Sequence, residues 1–134
     1  MLTELNIEND QFAATLDSCI YSFTQNAGIA GQILSSVNGG EISFLFRPGF
    51  AANTFILEWM LDPVKRFSGT ITFKQNIDSE DIRTLEFTNA ACIAYTWDFT
   101  SVNHGRGLEF RENMTEAVTI LAENITVGNA VFPP

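Results

Sequence analysis

The side chains that could carry out chemistry are few and scattered along the chain. His104 is the only histidine, and it lies between Asn103 and Gly105 with no cysteine or carboxylate at the spacing of a catalytic triad or a metal site. Glu80 and Asp81 are adjacent acids in an acidic loop, where carboxylates are normally solvated. The sequence therefore predicts no catalytic residue and no enzymatic activity.

The glycines, serines and cysteines fit structural roles. No serine stands in a G-x-S-x-G elbow, and Asn38-Gly39-Gly40 matches a tight turn but no phosphate-binding loop. Cys19 and Cys92 are far apart, each within an apolar strand-like pattern. We expect two buried free thiols, no structural disulfide, no metal and no cofactor.

Composition excludes several classes of protein. The 134 residues fit one domain, residues 1–134, and 46% of them are hydrophobic. The net charge of −9 is spread along the chain without a Lys/Arg cluster, which disfavours nucleic-acid binding. No apolar run reaches the roughly 20 residues of a membrane helix, and the acidic N-terminus is unlike a signal peptide. We expect a cytoplasmic protein without membrane insertion.

One helix is predicted, over residues 53–62. Its bulky side chains Phe55, Ile56, Trp59 and Met60 form one stripe at 3.6 residues per turn, so that this face must be buried. Asn53 is the expected N-cap, and Asp62-Pro63 ends the helix.

The rest of the chain alternates with a period of two, which is typical of strands. A hairpin is expected around Asn9-Asp10, a break at Asp17-Ser18 and a bend or bulge at 89–91. The predicted strands cover residues 3–7, 11–16, 19–25, 33–37, 41–47, 70–74, 82–88, 92–99 and 114–124. The fold class is therefore mainly β, a small antiparallel barrel or sandwich with one flanking helix.

The segment 26–34 is the predicted contact surface. It is rich in glycine and lacks periodicity, yet it carries apolar side chains that a monomer would expose to water. Trp59 is expected in the core, or else in a groove between subunits. The predicted interface residues are Gly28, Ile29, Ala30, Ile33, Leu34 and Trp59.

Several short motifs in order resemble the tube protein of Bacteroidetes type VI secretion systems, the Hcp or TssD family. They are C-x-Y-x-F-x-Q at 19–25, G-G-x-I at 39–42, E-W-M at 58–60, Pro63, G-x-I-x-F at 69–73, L-x-F-x-x-A at 85–90, C-x-x-Y at 92–95 and a final strand from Met114. Each motif is weak alone, but their order and spacing span nearly the whole chain.

The resemblance implies a β-barrel subunit that assembles into hexameric rings, which stack as the inner tube of a contractile injection machine. It also implies sheath, spike and effector proteins as partners, and export as part of the apparatus. Two other functions remain open at this point. One is a monomeric β-barrel that binds a small apolar ligand; the other is a divergent assembly protein similar to phage tail tubes.

Overall fold

The computed structural model describes residues 2–25, 39–47, 53–76, 80–99 and 114–133. These residues form eight strands and one helix. In chain order they are β1 (Leu2–Ile7), β2 (Phe12–Tyr21), β3 (Glu41–Phe46), α1 (Phe55–Leu61), β4 (Phe67–Lys74), β5 (Asp81–Phe99), β6 (Met114–Leu121), β7 (Asn124–Val127) and β8 (Ala130–Phe132).

Six strands close into a barrel in the order β4-β1-β2-β3-β6-β5, because β4 also pairs with β5. The remaining hairpin, β7–β8, extends the sheet from the first half of β5. Each strand pair is antiparallel. The predicted class, a small antiparallel barrel with one flanking helix, is confirmed.

Two strands bend and so belong to both walls of the barrel. Strand β5 pairs with β4 and β7 up to Ala90 and with β6 from Ala91, and Asn89 at the change has a φ of 50°. In β2 the register shifts between Leu16 and Ser18. The bend at 89–91 is therefore as predicted, but the break predicted at Asp17-Ser18 is wrong: a bulge keeps the strand continuous.

The bends divide the barrel into two sheets, which we name by position. The front sheet consists of residues 18–21 of β2, β3, β6 and residues 91–99 of β5. The back sheet consists of residues 12–16 of β2, β1, β4, residues 81–90 of β5, β7 and β8. Between them lies the core.

Helix α1 closes one side of the core with aromatic rings. Phe55 stacks on Phe12 and Phe67 with ring centroids 5.3 and 5.0 Å apart, and Trp59 meets Phe67 edge-on at 5.1 Å. The N-cap is Thr54, one residue later than predicted, but Asn53 Oδ1 still accepts a bond of 3.0 Å from the amide of Phe55. The last helical residue is Leu61, and Asp62 is the C-cap, so the helix stops where Asp62-Pro63 predicts.

The barrel interior is filled by side chains from all six strands and the helix. This packing argues against the ligand-binding barrel, which needs an internal cavity. The largest fully buried residues are Trp59, Phe46, Phe87, Leu5, Ile7, Ile42, Ile56, Ile71, Leu85, Ile120 and Ile125.

The last predicted strand needs correction, and two further strands follow it. The strand predicted over 114–124 ends at Leu121, and the chain turns at Ala122 and Glu123 to start β7 beside the first half of β5. The tail, for which no strand was predicted, forms β8, in which Val131 pairs with Thr126.

Candidate functional site

Both outer strands of the front sheet have an unpaired edge within the described residues. On β2, strand β1 pairs only as far as Leu16, so residues 18–21 have a partner on one side, β3. On β5, strand β4 pairs only as far as Ala90, so residues 91–99 have a partner on one side, β6. Exposed edges present unpaired N–H and C=O groups that readily pair with another chain.

The directions of the two edge strands would allow them to pair between two copies of the chain. The front sheet has the order β2-β3-β6-β5 and alternates direction at each step, so β2 and β5 run opposite ways. If β5 of one copy lay beside β2 of a second copy, the new pair would be antiparallel like every other pair. Such a contact uses different surfaces on the two partners and generates a ring or a filament.

The outward face of the front sheet is uncharged at its centre. Two rows of four residues cross it, the first containing Ser18 and Leu45 and the second Ile20 and Thr119. The complete rows are Ser18-Leu45-Ala117-Thr96 and Ile20-Ser43-Thr119-Ala94. For a chain with a net charge of −9, eight uncharged outward positions indicate a surface with a special role.

The inward face of the front sheet carries a buried acid. Glu116 on β6 is 6% exposed, and its carboxylate accepts a hydrogen bond from the hydroxyl of Tyr95 on β5. Burial raises the pKa of Glu116, while the bond from Tyr95 opposes that shift. Burial also raises the pKa of the Tyr95 hydroxyl, and the bond to Glu116 adds to it. The pair therefore links β5, an edge strand, to β6.

Cys19 and Cys92 lie on the two edge strands of the front sheet, and both thiols are free. Three inter-strand steps separate β2 from β5, roughly 14 Å, which is too far for a disulfide within one subunit. Burial raises the pKa of each thiol to about 11, so both are poor nucleophiles. A shift in register between Cys92 and Ala94 turns Cys92 to the same side as Tyr95, against the alternation that the sequence predicts.

The predicted interface residues have different outcomes. Gly28, Ile29, Ala30, Ile33 and Leu34 lie outside the described residues, and their role stays a prediction. Trp59 is 1% exposed and lies in the core of the subunit. Its contact with a neighbouring subunit also stays a prediction.

The residues considered for catalysis do not form a site in the described part of the chain. His104 lies outside it, and Glu80 is exposed. Across the described ranges, no group of three or more His, Cys, Asp or Glu side chains could hold a metal ion. No helix among these residues has the length and hydropathy needed to span a membrane.

The two sheet edges were not predicted, although the sequence contains a partial signal for the uncharged face. Ile20, Ser43, Thr119 and Ala94 are outward members of strand patterns that the alternation identifies. What the alternation does not give is the order of strands in the sheet, since this depends on contacts between residues far apart in sequence.

Comparison with known proteins agrees with this architecture. The family model for hemolysin coregulated protein Hcp (TssD) matches residues 1–133. No curated protein matches the chain by sequence. Among solved structures, Hcp1 from Flavobacterium johnsoniae superposes with a TM-score of 0.82 at 23% identity, covering 98% of each chain.

More distant structures share the fold at lower identity. Hcp1 from Salmonella typhimurium has a TM-score of 0.66 at 11% identity, covering 93% of this chain and 85% of its own. A chain of the sheath-tube complex of PVC, an extracellular contractile injection system, has a TM-score of 0.59 at 13% identity, covering 96% and 88%. From the family match over residues 1–133, the chain belongs to the Hcp (TssD) family, the tube subunits of type VI secretion systems.

Proposed function

We propose that this chain, as a single domain of residues 1–134, forms hexameric rings by joining β5 of each subunit to β2 of the next. The observation that carries the proposal is the pair of oppositely directed edges on the front sheet that have no partner among the described residues. A ring built this way repeats one heterologous contact until it closes. The rings then stack into the inner tube of a contractile injection apparatus.

The joined sheets also define an inside and an outside. The inward face of each front sheet is covered by its own back sheet and by α1, which need more room than the bare outward face. A closed ring provides that room at its periphery. The two uncharged rows, one containing Leu45 and the other Thr119, would therefore line the lumen, where effector proteins would be carried.

The wider assignment follows from membership of the family. Sheath and spike proteins of the apparatus are the expected partners, and the subunit would be made in the cytoplasm and exported with the apparatus. The role is structural, without enzymatic activity. The alternative function is that of an assembly protein in a phage-like injection particle, since a chain of the PVC sheath-tube complex shares the fold of this chain.

Disulfide trapping tests the joint between subunits. In a Cys19→Ala/Cys92→Ala background, Ile20→Cys combined with Ala94→Cys places one thiol on each edge, in the same row of the front sheet. Mild oxidation should give a ladder of covalent oligomers ending at six subunits. Ile20→Cys with Thr96→Cys tests the register one step along.

The controls are the single-cysteine variants, which should stop at dimers or stay monomeric. If neither pair gives products beyond a dimer while native mass shows a ring, the joint lies elsewhere. If native mass shows only monomer over a wide range of concentration, the ring itself is refuted.

Spin-label distances test which face lines the lumen. Thr119 lies on the outward face of the front sheet and Thr72 on the outward face of the back sheet. In the same cysteine-free background, labels at Thr119→Cys should give shorter nearest-neighbour distances within the ring than labels at Thr72→Cys. The reverse order would put the back sheet inside.

A further inference from the structure

The turn that follows α1 projects two aliphatic side chains into solvent. Val64 is 78% exposed and Leu61 is 73% exposed, the highest values among the exposed large hydrophobic residues described. The backbone beneath them is fixed, because Asp62 Oδ1 accepts a bond of 3.0 Å from the amide of Val64. Arg66 Nη1 donates to the carbonyl oxygen of Lys65 at 3.1 Å and weakly to that of Pro63 at 3.4 Å. The turn is a structured projection.

The same turn carries two adjacent cations, Lys65 and Arg66, and one acid, Asp62, so that residues 61–66 have a net charge of +1. Elsewhere in the described residues, Arg47 pairs with Asp17 at 3.4 Å and Lys74 with Glu4 at 3.6 Å. Lys65 and Arg66 are both exposed, and within the described residues neither has a carboxylate within ion-pair distance. A basic and apolar projection therefore stands on a molecule with a net charge of −9.

We propose that this turn, residues 61–66, binds an acidic surface of a second copy of the chain in the adjacent ring. The inference rests on the ring proposed above. Rings of strongly acidic subunits repel one another, so stacking needs local contacts of opposite charge. In a tube the adjacent ring consists of the same subunits, each with a net charge of −9, and it is therefore an acidic partner.

The turn lies apart from the strand edges that would join subunits within a ring, so it is available for a contact with another ring. The joints within a ring use the two edges of the front sheet. The turn leads instead from α1 into Phe67 at the start of β4, which is a back-sheet strand. The aliphatic side chains would supply the buried area, and the cations would orient the approaching ring.

Charge-matched variants test the contact. Lys65→Gln/Arg66→Gln removes two positive charges from the turn, whereas Gln75→Glu/Asn129→Asp adds two negative charges at exposed positions elsewhere. Both change the net charge from −9 to −11. We expect the first variant to form rings of normal mass but to stack about tenfold less, and the second to stack like the wild type.

Sedimentation velocity and negative-stain images of purified rings provide the readout, at about 0.05 M and about 0.5 M salt. The difference in stacking between the two charge variants should shrink at high salt, because salt screens the local attraction, and Leu61→Ser/Val64→Ser should stack poorly at both salt concentrations. Three results would overturn the inference: wild-type rings that stay single at both salt concentrations, equal stacking of the two charge variants at low salt, or loss of the ring itself in the Gln variant. Absence of rings in the wild type would refute the proposed function instead.

Discussion

The front and back sheets share one core but differ on their outward faces and at their edges. On the back sheet, charged groups such as Glu4, Lys74 and Glu86 stand among threonines, and Glu4 pairs with Lys74. On the front sheet, both central rows are uncharged and both lateral edges are unpaired within the described residues. The buried faces of the two sheets therefore account for the fold of the subunit, whereas the outward face and the edges of the front sheet are the features on which the proposed assembly rests.

The largest effect should come from removing the buried indole of Trp59 on α1. Trp59→Ala removes a ring that is 1% exposed and packed edge-on against Phe67, so it should cost about 3–5 kcal/mol of unfolding free energy. Trp59→Phe should cost less, because it keeps an aromatic ring and removes an indole N–H that has no partner in the described residues. Urea denaturation followed by circular dichroism, with native mass, measures both. A folded Trp59→Ala subunit of unchanged stability that no longer forms rings would show that Trp59 acts at an interface.

The second-largest loss of stability should come from adding a side chain at Gly69, where the strands of the back sheet pack closely. A side chain at Gly69 would meet the backbone oxygen of Asn6 and approach Phe87 Cζ to 2.8 Å. Gly69→Ala should therefore cost about 1–3 kcal/mol, whereas Thr70→Ala on the outward face should stay within about 0.5 kcal/mol. Adding Phe87→Leu to Gly69→Ala should recover part of the loss, a coupling that a double-mutant cycle detects. Additive losses would show that the ring of Phe87 does not limit this site.

The third-largest loss of stability should come from replacing Glu116, the buried acid of the front sheet. Glu116→Leu leaves the Tyr95 hydroxyl without its acceptor and should cost about 1–3 kcal/mol. Glu116→Gln keeps an acceptor without charge. Because the pKa of Glu116 is raised in the folded state, its contribution to stability is full below the unfolded-state pKa and is lost as pH rises through the folded value.

The pH dependence of stability should therefore differ between the wild type and Glu116→Gln. Compared with wild type, Glu116→Gln should lose less stability as the pH rises from about 4 to about 8, since the amide does not titrate. Denaturation midpoints at several pH values measure the difference. Parallel pH profiles for the two proteins would show that the charge of Glu116 is not coupled to folding.

The smallest effect concerns the outward face of the front sheet. Ser43 and Thr119 face each other across β3 and β6 with their hydroxyl oxygens 3.0 Å apart. Ser43→Ala/Thr119→Val should cost about 0.5 kcal/mol and leave the ring mass unchanged. Thr72→Val/Thr84→Val, a facing pair on the outward face of the back sheet, is the control. A large loss of assembly in the first variant alone would show that subunits meet through this face as well as at the edges.

Local patterns predicted most of the elements but not their arrangement. Alternation in Ile42, Phe44 and Phe46 correctly identified the inward face of β3, and the helical stripe correctly buried Ile56 and Trp59. The bulges at 16–18 and 92–94 were not predicted, because each depends on which partner strand is opposite. For the same reason the sequence did not reveal the two edges of the front sheet, which have no partner among the described residues once β1 and β4 stop pairing.

The bend in β5 has a mechanical consequence for the proposed tube. The strand is 19 residues long, and its backbone continues from the front-sheet edge, through Asn89, into the pairing with β4 and β7. Tension between neighbouring subunits would therefore travel along covalent bonds into the closed barrel. Hydrogen bonds on both sides of the strand's first half would resist this tension together, in shear, so that a loaded ring would distribute the force over several strands before any single strand separated.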